Sequence, residues 1–151
     1  MGMPDPTHLV VDCSVMARWV LPGEDHSGQA LEIMRDMQVG SVALWAPDLL
    51  PSEIGGAMLR AVRRGRIAEA DARSSARALL AVPVKLHPSG GLVLRAFEIA
   101  AAENQRIYDC FFVALSEYLG VEFWTGDERL YNALNLRFPF VRFVADYPTA
   151  R

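Results

Sequence analysis

The sequence predicts an α/β fold, a three-layer α/β/α sandwich around a central parallel sheet of about five strands. Three observations lead there. Short apolar runs, such as Leu9-Val10-Val11, are continuous rather than alternating, as strands buried on both faces require. Longer segments with helical spacing of apolar residues separate these runs. Glycine and proline punctuate the junctions. With 151 residues, 52% of them hydrophobic, the chain is read as one folded domain over 1–151 with a single core.

The first strand is expected over His8–Asp12, followed by a short helix over Ser14–Val20 that Pro22-Gly23 ends. A second helix is expected over Ser27–Met37, with Ala30, Ile33, Met34 and Met37 on one face and Gly40 beyond its end. Val42–Trp45 reads as the second strand, stopped by Pro47. Pro51–Arg64 follows, with proline in the first turn and Gly65 past the last, the usual asymmetry of a helix. Ala68–Leu80 is a further helix, and Val82–Leu86 a third strand weakened by Pro83. Helices over Gly91–Glu103 and Tyr108–Leu119 precede a fourth strand, Val121–Thr125. A helix over Glu128–Asn135 and a fifth strand, Val141–Val144, complete the pattern.

Four acids fall where strands end or helices begin. Asp12 ends the first strand, Glu53 lies in the first turn after the second, and Asp127 lies just beyond the fourth. The helix containing Asp109 feeds into the fourth strand, so its first turn must start at the carboxyl-end side. All four acids therefore reach one rim of the sheet, where ligand chemistry gathers in parallel α/β folds. Taken alone, each acid is explained at least as well by helix capping. Thr125 and Glu128 even have the spacing of a capping box. Taken together, carboxylates about 4 Å apart at an effective dielectric near 20 repel by roughly 4 kcal/mol per pair. A divalent cation is the natural remedy. The hydroxyls of Ser14 and Thr125 beside these acids complete a set of hard oxygen donors, which suits Mg²⁺ or Mn²⁺ and not zinc.

The net charge of −3 argues weakly against a nucleic-acid partner, but without the four acids the remainder is close to neutral. Lys85 is the sole lysine among 15 basic residues, a bias read as genome composition rather than phosphate recognition. Cys13 and Cys110 lack metal-ligand spacing and read as small core side chains. No leader pattern or membrane-length apolar run is present, so a soluble, cytoplasmic protein is expected. His8, His26 and His87 are scattered and take no role. A receiver domain would need an acceptor Asp ending the third strand and a Lys ending the fifth, and neither is there. No Gly-x-Gly-x-x-Gly follows the first strand, which removes a dinucleotide-binding enzyme.

Val10-Val11-Asp12-Cys13-Ser14, Pro51-Ser52-Glu53-Ile54, Ile107-Tyr108-Asp109-Cys110 and Trp124-Thr125-Gly126-Asp127-Glu128-Arg129-Leu130 follow one another in the order and spacing of a known family. In these four fragments, over nearly its whole length, the chain resembles the PIN domains, and among them the VapC-type toxins of toxin–antitoxin pairs. The resemblance implies a metal-dependent endoribonuclease, usually a homodimer, masked by a cognate antitoxin. Asp12, Asp109 and Asp127 would hold one or two Mg²⁺ or Mn²⁺ ions, and Glu53 would bind the metal or orient a water on it. Hydrolysis would then use water as the nucleophile. Ser14 and Thr125 would orient the carboxylates, and Arg18 and Arg129 are the candidates for phosphate contact.

One position departs from the pattern. Relatives often carry a polar residue three positions after the glutamate, where this chain has Gly56. That departure is the sole support for a rival, a PIN-like protein that binds RNA or a partner without cutting. Cleavage of DNA is a third possibility, since the motifs do not settle RNA against DNA. The basic stretch Arg60, Arg63, Arg64 and Arg66 ends the same helix, which runs away from the rim. It is therefore expected to serve the helix C-terminus, a distal part of an RNA, or the antitoxin. Trp19-Val20-Leu21 reads as core packing, with a dimer face or antitoxin groove as the alternative.

Overall fold

A computed structural model describes residues 2–149. Its strands are β1 (Thr7–Val11), β2 (Val42–Pro47), β3 (Lys85–His87), β4 (Glu122–Thr125) and β5 (Val141–Phe143). The helices are α1 (Cys13–Ala17), α2 (Ser27–Gln38), α3 (Leu50–Arg63), α4 (Glu69–Leu80), α5 (Val93–Glu103), α6 (Ile107–Leu119) and α7 (Glu128–Leu134). The sheet order is β3-β2-β1-β4-β5 and every pairing is parallel.

The central place of β1 follows from its composition. Leu9, Val10 and Val11 are all buried, so the strand needs cover on both faces and partners on both edges. In the register, Val10 lies between Trp45 and Phe123. On one side of the sheet α3 packs on α1 and α4. On the other, α6 crosses β1, β2 and β4 and carries α5. Its residues Cys110 to Ser116 are buried without a break, as befits a helix that is apolar all round. Phe112 stacks on Phe123 at a centroid distance of 5.8 Å. Helices thus cover both faces, giving the expected three layers.

The direction of travel reverses once. From β1 the chain steps outward through β2 to β3, then crosses back to β4 on the opposite edge of β1. The carboxyl ends of β1 and β4 flank that switch point, where parallel sheets open a crevice.

Three elements have other bounds than the sequence expectation. The second strand runs through Pro47, which pairs with His87, instead of stopping at Trp45. The first helix stops at Ala17 instead of running to Val20. Beyond it the backbone tightens, with Arg18 N bonding Val15 O and Trp19 N bonding Met16 O, a three-residue spacing that closes the turn before Pro22. The third strand begins at Lys85 rather than Val82, because Pro83 has no N–H to give a ladder. Trp19-Val20-Leu21 packs against the core, and the Trp19 indole donates to Ala30 O at 2.7 Å. Among the described residues no helix is long and apolar enough to cross a membrane.

Candidate metal centre and nucleic-acid cleft

Asp12 leaves the carboxyl end of β1 and caps α1, its side chain accepting from Val15 N at 3.3 Å. Only 8% of the residue is exposed, yet both carboxylate oxygens are satisfied. The Ser14 hydroxyl donates to Oδ1 and the Thr125 hydroxyl donates to Oδ2 at 2.6 Å. Those hydroxyls are themselves fixed by backbone. Gly126 N donates to Ser14 Oγ at 2.7 Å, and Asp127 N donates to Thr125 Oγ1 at 3.0 Å. The start of α1 and the end of β4 are therefore laced together around one carboxylate.

Arg18 completes the lacing. Its guanidinium donates to Ser14 O at 2.6 Å, Gly126 O at 3.1 Å and Asp25 O at 2.8 Å. A Cβ at Gly126 would lie 2.2 Å from Arg18 Nη1 and 3.2 Å from Ser14 O, so this position has no room for a side chain. Asp127 follows as the cap of α7, accepting from Leu130 N at 3.1 Å. Capping and site placement thus coincide for Asp12 and Asp127.

Glu53 and Asp109 lie in the first turns of α3 and α6, where the helix N-terminus favours negative charge. Neither is the capping residue. All four acids line one open cleft of about 930 Å³. Burial and neighbouring charge push the carboxyls of Asp12, Glu53 and Asp109 toward the protonated form. Burial raises Asp12 to about 6, against the pull of its hydroxyl donors. Burial, then the Asp12 and Asp109 charges, raise Glu53 to about 8. Asp109 is also raised, by burial and by the Asp127 charge. The acids feel one another, as carboxylates sharing a site must.

Arg129 sits between two of them, its Nη2 3.8 Å from Asp109 Oδ2 and 3.9 Å from Asp127 Oδ2. Its Nη1 donates to Gln105 at 3.0 Å. Cys13 and Cys110 are buried, and burial pushes their thiols up to about 12 and about 11, which leaves them inert packing groups. Among the described residues no three His, Cys, Asp or Glu side chains are arranged to enclose one ion. The carboxylate and hydroxyl oxygens nonetheless fit a hard divalent cation that binds through one or two carboxylates and keeps several waters.

The PIN domain family model matches residues 9–134, which include all four acids. The chain belongs to the PIN-domain family. This PIN domain is 33% identical over 122 residues to a VapC ribonuclease of Mycobacterium bovis, covering 81% of the chain and 87% of the relative. Among solved structures it superposes on PAE2754 of Pyrobaculum aerophilum with a TM-score of 0.66 at 19% identity, covering 92% of each chain. It also superposes on Mycobacterium tuberculosis VapC20, described as a sarcin–ricin-loop-cleaving toxin, with a TM-score of 0.60 at 19% identity, covering 89% of this chain and 98% of that one.

The PIN domain also brings to the cleft groups that the sequence reading places elsewhere. Arg60, Arg64 and Arg66, expected at the end of a helix that runs away from the rim, line the same cleft as the acids, and Arg106 joins them. A long helical side chain leans back over the turn before it. Arg60 accordingly reaches Gly56, where an added Cβ would lie 3.3 Å from its Nη1. The spacing of Glu53, Gly56 and Arg60 along one helix face is the signal that could have revealed this contact.

Proposed function

We propose that this PIN domain is a Mg²⁺- or Mn²⁺-dependent endoribonuclease of the VapC type and acts as the toxin of a toxin–antitoxin pair. The observation that carries this reading is the convergence of Asp12, Glu53, Asp109 and Asp127 on one open cleft, in a chain one-third identical to a VapC ribonuclease. A protein that only bound RNA would gain nothing from keeping carboxylates whose mutual repulsion works against a polyanion.

Asp12, Asp109 and Asp127 are the residues to hold one or two divalent ions, with Glu53 beside them. When bound, such an ion supplies Lewis-acid polarisation of a phosphate and acidifies a coordinated water. The chain's own contribution is positional. Ser14 and Thr125 donate to both oxygens of Asp12, which holds the carboxylate against rotation. Among the described residues Glu53 has no such donors, and beside the ions its carboxylate is the group to accept a proton from an attacking water. Arg129, beside Asp109 and Asp127, is placed to meet substrate phosphate, while Arg18 braces the Gly126 loop.

The partners that follow are an RNA substrate, a cognate antitoxin and a second copy of the chain, in the cytoplasm. Val93, Leu94 and Phe97, exposed together on α5, support association with another chain. The test is to map RNA ends after induction in cells, with Asp12→Asn as control, and to assay the purified protein with and without chelator. New ends from the parent alone, restored in vitro by Mg²⁺ or Mn²⁺, are expected. Equal ends from both proteins would remove the nuclease; Mg²⁺-dependent stabilisation without cleavage would favour the non-cleaving binder.

A further inference from the structure

The cleft is chemically two-sided. Its lining holds the four acids and also arginines from α3, from the turn after it, and from the residue before α6. These arginines differ in what they already hold. Arg66 is committed to Glu24 at 2.8 Å and to Pro22 O at 2.9 Å. The guanidiniums of Arg60, Arg64 and Arg106 meet no hydrogen-bond acceptor among the described residues, although all three line the cleft. Arg60 is the one whose position is specified. It is seven residues beyond Glu53, two turns along the same face, and its guanidinium lies back over Gly56, one turn from the glutamate. Its charge is felt there, since it opposes the rise in the Glu53 carboxyl.

From this placement we infer that Arg60 binds a backbone phosphate of the RNA beside the acid cluster, and that Gly56 is the notch that lets its guanidinium lie there. A planar guanidinium with unused donors matches phosphate oxygens in a fork. The acids cannot serve that purpose themselves, because they repel the strand on either side of the scissile bond. Arg64 follows Arg60 by four residues on the same face and extends the track away from the acids. A side chain at position 56 would crowd the volume that Arg60 uses, since a Cβ there would lie 3.3 Å from its Nη1. The inference rests on the ribonuclease reading for the identity of the substrate and on the Gly56–Arg60 contact for the place.

The test measures RNA binding and cutting separately. In an Asp109→Asn background, where cleavage is suppressed, affinity for a single-stranded oligoribonucleotide is measured over a range of salt. Adding Arg60→Gln should weaken binding about tenfold, and the slope of log affinity against log salt should become shallower by about 0.7, one phosphate contact on a single strand. Arg77→Gln, an exposed arginine on α4 outside the cleft, should change neither. Gly56→Ala should weaken binding when Arg60 is present and have no further effect in the Arg60→Gln protein. Unchanged affinity and slope in Arg60→Gln overturn the inference. So does a loss of Mg²⁺-dependent thermal stabilisation in that variant, which would make Arg60 a support of the metal site. If the parent protein cuts no RNA but Arg60→Gln still flattens the salt slope, the phosphate contact stands and the nuclease reading fails.

Discussion

Asp12 and Glu53 face the same cleft and are held in different ways. Around Asp12 the two ends of the sheet's switch point are laced by side chains: two hydroxyls on one carboxylate, two backbone N–H groups on those hydroxyls, and Arg18 on the carbonyls behind them. Around Glu53 there is helix and little else. Its support is the N-terminal turn of α3 and the Arg60 charge, and the helix it rides contains Gly55 and Gly56. The difference separates two jobs. A carboxylate that must present fixed oxygens to an ion needs its neighbours locked. One that must exchange a proton or follow a water needs room.

The largest expected effect tests the locked half. Asp12→Asn should abolish metal-dependent cleavage in a folded protein, checked by single-turnover RNA cleavage alongside circular dichroism. Its amide can donate as well as accept, so one of the Ser14 and Thr125 hydroxyls loses its acceptor. Retained cleavage would end the assignment. Thr125→Val leaves the acid in place but removes the donor to Oδ2. It should slow cleavage by roughly 10–100-fold and weaken metal binding, read by titrating metal against rate. Glu53 is 72 residues away in sequence and should keep its own pH response in that variant.

A matched pair of glycine substitutions sharpens the contrast. Gly126→Ala places a methyl 2.2 Å from Arg18 Nη1 and 2.7 Å from its Cζ, in a guanidinium held by three carbonyls. The melting temperature should fall, and Arg18→Ala should relieve the clash in a double-mutant cycle. Gly56→Ala meets only the end of a flexible side chain at 3.3 Å. Thermal unfolding should show it neutral or more stable, by up to about 1 kcal/mol from helix propensity. Equal destabilisation by both would mean that the two halves are equally rigid.

The smallest effect is on pH dependence without metal. Asp12 and Glu53 bind protons more readily folded than unfolded, with folded values of about 6 and about 8. Between the ordinary carboxyl range and those values the native state holds more protons than the unfolded state, so stability falls as pH rises. Melting in chelator should therefore decline from pH 5 to pH 8. Glu53→Gln should flatten the upper part of that decline and leave the part near pH 6, which belongs to Asp12. A melting temperature that rises over this range would contradict the shared burial and repulsion of the acids.

Most of the fold is readable in the sequence because strands buried on both faces carry unbroken apolar runs, and β1 and β2 do so. The shift at β3 comes from Pro83, and the short α1 from a tightened turn that apolar periodicity does not register. The convergence of the four acids is readable too, since chain direction alone brings each to the carboxyl-end rim. Arg60 is not readable from helix direction, because its side chain leans back toward Glu53 across a missing Cβ. Nor is the bracing role of Arg18, whose partner Gly126 lies 108 residues away. Sequence distance hides contacts that depend on where a loop returns.

The place of β1 in the middle of the sheet also sets the order in which the molecule can be completed. During synthesis β2 and β3 can pair beside β1 while its opposite edge waits for Glu122–Thr125, and Asp12 waits for a hydroxyl 113 residues downstream. Such non-local pairing forms late. A nascent chain has no assembled acid cluster until Asp127 has left the ribosome. Under the proposed function, a nascent chain stays inert until β4 and Asp127 have joined β1.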